Sequence, residues 1–386
     1  MKKLLLLISF ICSVAVCAHA QNNDSQLLKK LVEKNVLTQD EADELAQDQQ
    51  TETNGSFEQT TRKIREAFST PYMKFGGYAL MMYQYSNTQE VKHKVDPRVV
   101  FVSMTGQFNK FRYFILSEFV DPRVYEFYGE WAPSDAIKLK GGLMKVPYAL
   151  ENPISLIDLE TVSNTRSVSN LIGMTGDVMQ LQNGFNNSGR DLGIMLHGNL
   201  FKKNGHELVQ YAAGVFQGSG IKKTNGNWFE NNNTKDFVSS LYLKPISEFR
   251  IGGSVYFGQT NYSTNLTGQE KPHVRNRWLI SSDYQSDRFY ARAEWIHGND
   301  GGIKKEGLYG TALYYVVPNK LNFAAKVDYM NNNKDTGSEV IDYTAAVNYY
   351  FYKACRFQLN YTYSDYSKVW GSKDSHNIAA QMQIVF

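Results

Sequence analysis

From Tyr72 onward, apolar and polar residues alternate with a period of two. Leu321, Phe323, Ala325, Val327 and Tyr329 alternate with Asn322, Ala324, Lys326, Asp328 and Met330. Phe357, Leu359, Tyr361 and Tyr363 interleave with Gln358, Asn360, Thr362 and Ser364, and Phe289, Ala291, Ala293 and Trp295 with Arg288, Tyr290, Arg292 and Glu294. This period places one set of side chains on each face of a strand. One face is apolar with aromatic ends, and the other is polar and often charged. The runs predict sixteen strands: 72–85, 97–108, 111–121, 123–132, 136–147, 190–201, 206–217, 235–244, 247–258, 275–285, 287–297, 306–318, 320–330, 339–352, 354–366 and 374–386.

The connections carry as much information as the strands. Short turns at Asn109-Lys110, Ala132–Asp135, Lys202–Gly205, Lys244–Ser247, Gln285–Asp287, Pro318–Lys320 and Lys353 alternate with longer, Asn- and Gly-rich segments. The long ones are 86–96, 148–189, 218–234, 259–274, 298–305, 331–338 and 367–373, and only the connection near Asp121-Pro122 is short on that side. A water-soluble sandwich also alternates, but has no reason to put short and long connections at opposite ends. An even number of strands, apolar outward and polar inward, predicts an all-β fold: a 16-stranded antiparallel transmembrane β-barrel.

Composition narrows the alternatives. Mean hydropathy is -0.42, and no apolar run of helix-spanning length follows the N-terminus, which excludes a helical membrane protein. An apolar share of 42% excludes a wholly disordered chain. Met1-Lys2-Lys3, the apolar run Leu4 to Val16 and Ala18-His19-Ala20 predict a signal peptide over 1–20, cleaved after Ala20. Its removal would leave Cys355 as the one cysteine, and so no internal disulfide.

Residues 21–50 form a short helical module in this reading. Leu27, Leu28, Leu31 and Val32 make one stripe, and Thr38-Gln39-Asp40-Glu41 is a capping box before a second helix. Residues 51–70 read as a polar linker and 71–386 as the barrel. Residues 71–386 hold 33 basic and 28 acidic side chains, a mild excess far from a nucleic-acid-binding signature. It gains weight if the basic residues line a confined space.

Candidate chemistry is sparse. The seven histidines show no metal-ligand spacing, and no nucleophile elbow or P-loop occurs. The reading therefore includes no catalytic site, metal or cofactor. The connection 148–189 is long enough to be functional. Folded inside the barrel, it would pack Leu156, Ile157, Leu159 and Leu171 on the wall and turn Glu151, Asp158, Glu160, Arg166 and Asp177 to water. Strand parity then nominates pore-lining bases. Arg112 opposes Tyr113 and Ile115; Lys138 and Lys140 oppose Ile137 and Leu139; Arg250 opposes Ile251; Arg288 and Arg292 oppose Phe289 and Ala291. Arg190 opens its strand opposite Asp191 and Gly193, and Arg166 comes from the long loop. Lys145 is ambiguous, because its parity matches Leu143. The alternative for each is a salt-bridged wall residue beside Glu118, Glu130 or Glu294.

Several segments bear a family resemblance. Gly142-Leu143-Met144-Lys145-Val146-Pro147-Tyr148 resembles the GQFKxPF segment of the phosphate-selective porin O and P family of Gram-negative outer membranes. Glu151 and Thr165-Arg166-Ser167 resemble elements of its third loop. Gly189-Arg190-Asp191-Leu192-Gly193 is similar to its GRDxG strand start, and Gly214-Val215-Phe216-Gln217-Gly218 to its G-x-F-N-G turn. The likeness spans about 72–386, through Asn360–Ser364, and the helices at 25–50 resemble the module found ahead of such barrels. The resemblance implies a passive channel in outer-membrane lipid, commonly a homotrimer, with a constriction carrying basic residues. A final strand ending at Phe386 resembles the signal read by the barrel-assembly machinery. Arg166 is the one basic residue of 149–189, and Leu143 and Met144 replace the family's glutamine and first phenylalanine. Both features favour a general pore for small hydrophilic solutes and ions, at most weakly anion-preferring. A phosphate or polyphosphate channel and, in another class, a receptor or adhesin barrel are the alternatives.

Overall fold

The computed structural model describes residues 70, 72–172, 189–203, 205–218, 223–224, 227–228, 234–263 and 270–386. The signal-peptide, helical-module and linker expectations fall outside these residues, Thr70 excepted, as does Asp177. Strands follow in the order β1 Lys74–Ser86, β2 His93–Phe108, β3 Phe111–Glu118, β4 Arg123–Trp131, β5 Lys138–Lys145, β6 Arg190–Lys203 and β7 His206–Phe216. A small ribbon, β8 Lys223–Thr224 with β9 Asn227–Trp228, interrupts the series. There follow β10 Asp236–Ile246, β11 Phe249–Ser263, β12 Glu270–Gln285, β13 Phe289–Asp300, β14 Ile303–Val317 and β15 Leu321–Asn333. The series ends with β16 Ser338–Tyr352, β17 Cys355–Tyr366 and β18 Ser375–Val385. One seven-residue helix, α1 Arg166–Ile172, stands in the connection after β5.

All strands but β8 and β9 join one closed antiparallel barrel, which β1 and β18 seal in register from Tyr78↔Val385 to Ser86↔Asn377. Closure removes the unpaired edges an open sheet would present. At the seam, a Cβ on Gly77 would lie 2.3 Å from the Phe101 carbonyl oxygen and 2.7 Å from the Phe386 ring. Only glycine admits that ring across the first strand.

The alternation has an inverted sense compared with a soluble protein. Exposed positions are apolar: Leu308 and Tyr314 on β14, Phe323 and Val327 on β15, Tyr343 and Tyr349 on β16. Their neighbours in sequence are buried and polar, among them Asn322, Lys326, Asp328, Asn348, Gln358 and Gln383. Aromatic pairs gather near the short turns (Phe108–Phe111, Tyr284–Phe289, Phe351–Phe357) and again further up the strands (Trp278–Trp295, Tyr343–Tyr363).

All sixteen expected barrel strands are present, but several run further at the long-loop end. β13 reaches Asp300 and β14 starts at Ile303, so the expected loop 298–305 is a two-residue turn. Gly301 and Gly302 both have positive φ, 61° and 96°, the geometry tight hairpins require. Likewise β2 begins at His93, β11 ends at Ser263 and β15 at Asn333. These extensions are mostly polar and carry no sustained alternation, so periodicity did not mark them. At the other end β10 continues through Pro245 to Ile246, and the turn before β13 extends to Arg288.

Candidate functional site

Residues 146–172, the described start of the long connection after β5, are bonded to seven strands. On β13, Glu294 accepts the backbone N–H groups of Leu150 (2.8 Å) and Glu151 (3.1 Å). The Arg292 guanidinium, 2% exposed, meets the Glu151 carboxylate at 3.1 Å and the Glu160 carboxylate at 3.0 Å, and donates to the Tyr290 and Tyr309 hydroxyls. On β15, Lys326 donates to Thr161 Oγ1 at 2.9 Å and the Ser163 carbonyl at 2.8 Å. Asp328 accepts the first N–H groups of α1, from Arg166 and Ser167, donors that the helix itself cannot satisfy.

The remaining strands hold the loop backbone. On β16, Asn348 donates to the Glu160 carbonyl at 3.0 Å, and Asp342 takes Arg166 in a two-point contact at 2.6 and 3.0 Å. Arg356 of β17 reaches the Leu159 carbonyl at 2.9 Å, Gln383 of β18 the Ile157 carbonyl at 3.2 Å, and Arg98 of β2 the Val162 carbonyl at 2.7 Å. Lys145, at the end of β5, donates to the Ile154 carbonyl at 2.7 Å. Loop carbonyls that would otherwise lose water without compensation are thus paired one by one.

Apolar packing supports the same segment. Val168, Leu171 and Ile172 of α1 join Tyr148, Met195, Phe216, Tyr256, Ile296 and Tyr309 in the largest buried cluster. Leu156 and Ile157 pack on a second, formed by Leu80, Val99, Phe101, Leu116 and Tyr125. Leu159 and Leu171 are buried as expected. The expectation that Glu151 and Glu160 face water is incorrect: both are buried, because Arg292 supplies the countercharge from a distant strand. Burial pushes the Glu151 carboxyl up, but Arg292, Lys326 and the hydrogen bonds from Thr165 outweigh it and hold it below the usual range. Asp158 stays exposed, and partial burial shifts its carboxyl upward.

The nominated bases occupy distinct places. Arg112 and Lys140 approach Glu130 at 3.6 and 3.4 Å, where His197 also bonds at 2.8 Å; Lys138 lies 3.6 Å from Asp135. Arg250 pairs with Asp283 at 2.5 Å, and Arg190 with Glu126 at 2.6 Å. Arg166 and Arg292 belong to the loop anchorage. Arg288, expected at the start of a strand, is an exposed residue of the turn before β13. Lys145's ambiguity ends at Gly142, where φ is 134°. Beyond it Leu143 and Met144 are both buried, alternation stops, and Lys145 lines a cavity together with Arg190.

Other bases on the polar face went unpredicted: Arg98, Arg275, Arg277, Lys305 and Arg356. Arg277 and Lys305 share Asp300 at 2.9 and 2.6 Å. The parity of Arg275 and Arg277 against Trp278 was available in the sequence, and so was that of Arg356 against Phe357. Among the described residues, no group of three or more His, Cys, Asp or Glu side chains could hold a metal ion.

A closed barrel of sixteen strands, apolar outside and polar within, is the architecture of an outer-membrane porin. A family model described as phosphate-selective porin O and P matches residues 114–386. The chain belongs to that family. Solved structures agree on the fold at low sequence identity. The anion-selective porin from Comamonas acidovorans is 10% identical with a TM-score of 0.61, over 81% of this chain and 99% of that one. OmpF of Salmonella typhi is 12% identical with a TM-score of 0.56, over 81% and 97%. The trimer form of OmpT from Vibrio cholerae is 11% identical with a TM-score of 0.52, over 82% and 100%. No curated protein sequence matches the chain.

Proposed function

We propose that this porin is a passive, water-filled channel for small hydrophilic solutes and ions, narrowed by the connection after β5 folding into the barrel. The observation that carries this reading is the bonding of residues 150–166 to inward-facing side chains on β13, β15, β16, β17 and β18. A cavity of about 760 Å³ lies between the same segment and β1–β6. A surface lid would not reach Asn348 or Gln383 on their strands' buried face. The exposed apolar rows and their aromatic belts suit contact with outer-membrane lipid. The trimer form of the OmpT relative supports a homotrimer. The signal peptide ending at Ala20, the periplasmic module at 21–50, the linker at 51–70 and recognition of the final strand by the assembly machinery belong to the same reading.

Selectivity in this reading is weakly anionic. Of the nominated bases, Arg112, Lys138, Lys140, Arg166, Arg190, Arg250 and Arg292 each have a carboxylate partner, which mutes their field at the pore. Lys145 keeps a neutral partner. The test is single-channel recording of the purified protein in planar bilayers under a salt gradient, with phosphate then added. Open-channel current, a small reversal potential of anionic sign and no block by dilute phosphate are expected. Strong block by dilute phosphate would overturn the general-pore reading, and absence of conductance would overturn the channel itself.

A further inference from the structure

The cavity between the loop and β1–β6 brings basic and aromatic side chains together. Its basic side chains are Arg98, Lys145 and Arg190, and its one acidic side chain is Glu126. Arg190 donates to the Glu126 carboxylate from two nitrogens, at 2.6 and 2.9 Å. Arg98 and Lys145 bond to neutral oxygens instead: the Val162 carbonyl and the Gln381 amide oxygen for Arg98, the Ile154 carbonyl for Lys145. The carboxylates acting on them from outside the lining are Asp96 on Arg98, and Asp158 and Glu151 on Lys145. Glu151 is already committed to Arg292. The lining therefore carries more positive than negative charge.

The apolar part of the wall is largely aromatic, with Ser103, Asn152 and Asn164 among the neutral polar residues beside it. Tyr78 and Phe101 stand 5.2 Å apart edge to face, Phe101 and Tyr125 4.8 Å, and Phe114 lies 5.4 Å from Tyr128. All five line the cavity, and Leu116 and Leu156 complete the apolar side. At about 760 Å³, the space matches that of small-molecule sites rather than that of a single hydrated ion. Inorganic phosphate leaving water here would need several hydrogen-bond donors, but Ser103, Asn152 and Asn164 already donate within the protein, and Arg98 and Lys145 spend donors on the loop. A planar organic carboxylate loses little by burying its ring against aromatic edges, and its single charge has cations beside it.

We infer that this cavity is a binding subsite on the permeation path for organic monoanions with a planar apolar body, of the aromatic-carboxylate class. The inference rests on the channel reading above and deepens it. The carboxylate lies toward Lys145 and Arg98, and the ring lies against Phe101 and Tyr125.

The test uses the full protein in planar bilayers, with sodium benzoate, sodium acetate and inorganic phosphate each titrated against chloride current. Benzoate is expected to block saturably, with a half-blocking concentration about tenfold below those of acetate and phosphate. Lys145→Gln is expected to weaken block by both carboxylates. Phe101→Leu keeps an apolar side chain but removes the ring, and is expected to narrow the gap between benzoate and acetate. Open channels that benzoate and acetate block alike, or that phosphate blocks best, would overturn the subsite and leave the channel standing. An unchanged benzoate-to-acetate gap in Phe101→Leu would also overturn it. Absence of any current would overturn both.

Discussion

The two sides of this barrel's interior use similar residues to opposite ends. Along β13–β17 the charged row is consumed by the loop: Arg292, Lys326, Asp328, Asp342 and Arg356 each bond to residues 159–166. Along β1–β6 the row faces a cavity, and Arg98 and Lys145 touch the loop only through carbonyl oxygens. Similar side-chain chemistry is structural on one side and lines the proposed subsite on the other. Where alternation holds, parity decides which face a residue occupies, and the partner decides what it does there.

The largest effect is expected from Arg292→Gln, which leaves Glu151 and Glu160 buried without their countercharge. Breaking a buried pair in this way costs about 3–5 kcal/mol, to be read as a lowered urea midpoint or a lowered temperature of heat-modifiability on gels. A change in pH probes the same contact more gently. Burial raises the Glu151 carboxyl, but Arg292, Lys326 and the Thr165 bonds together set it below its usual 4.5. Its contribution is therefore complete above about 4.5 and is lost as pH falls through the depressed folded value. Channel conductance should rise as pH falls through that point, as the loop loosens.

The cavity side should respond in the reverse sense. Lys145→Gln is expected to cost about 1 kcal/mol or less, since a donor to the Ile154 carbonyl can be kept. It should nevertheless move the reversal potential toward cations. A large loss of stability without a selectivity change would erase the contrast between the walls. The smallest effect lies away from both: Lys353 holds φ of 45° in the turn between β16 and β17, where Asn is better suited. Lys353→Asn should raise the urea midpoint by the equivalent of about 0.5 kcal/mol with conductance unchanged.

The sequence made the barrel legible because the apolar row repeats every second residue through sixteen runs, and errors of register would expose it. It did not mark strand ends such as Asn331–Asn333 or the Gly301-Gly302 turn, since polar residues on both faces carry no period. The loop was legible as a long insertion with apolar residues to bury, and Leu156, Leu159 and Leu171 behave so. Its carboxylates were not, because Glu151 and Arg292 are separated by 141 positions and no local pattern announces their pairing. Lys145 stayed ambiguous for a related reason: alternation stops at Gly142, where φ is 134°, and Leu143 and Met144 beyond it are both buried.

The central claim is that residues 150–166, anchored on β13–β18, set the width of the channel. The most direct measurement is single-channel conductance of the wild type against a variant in which residues 152–164 are replaced by a short Gly-Ser linker. Heat-modifiability on gels should first establish that the barrel still closes. The account predicts a clear rise in conductance and loss of the benzoate-over-acetate preference. A closed, folded barrel whose conductance equals that of the wild type would contradict it.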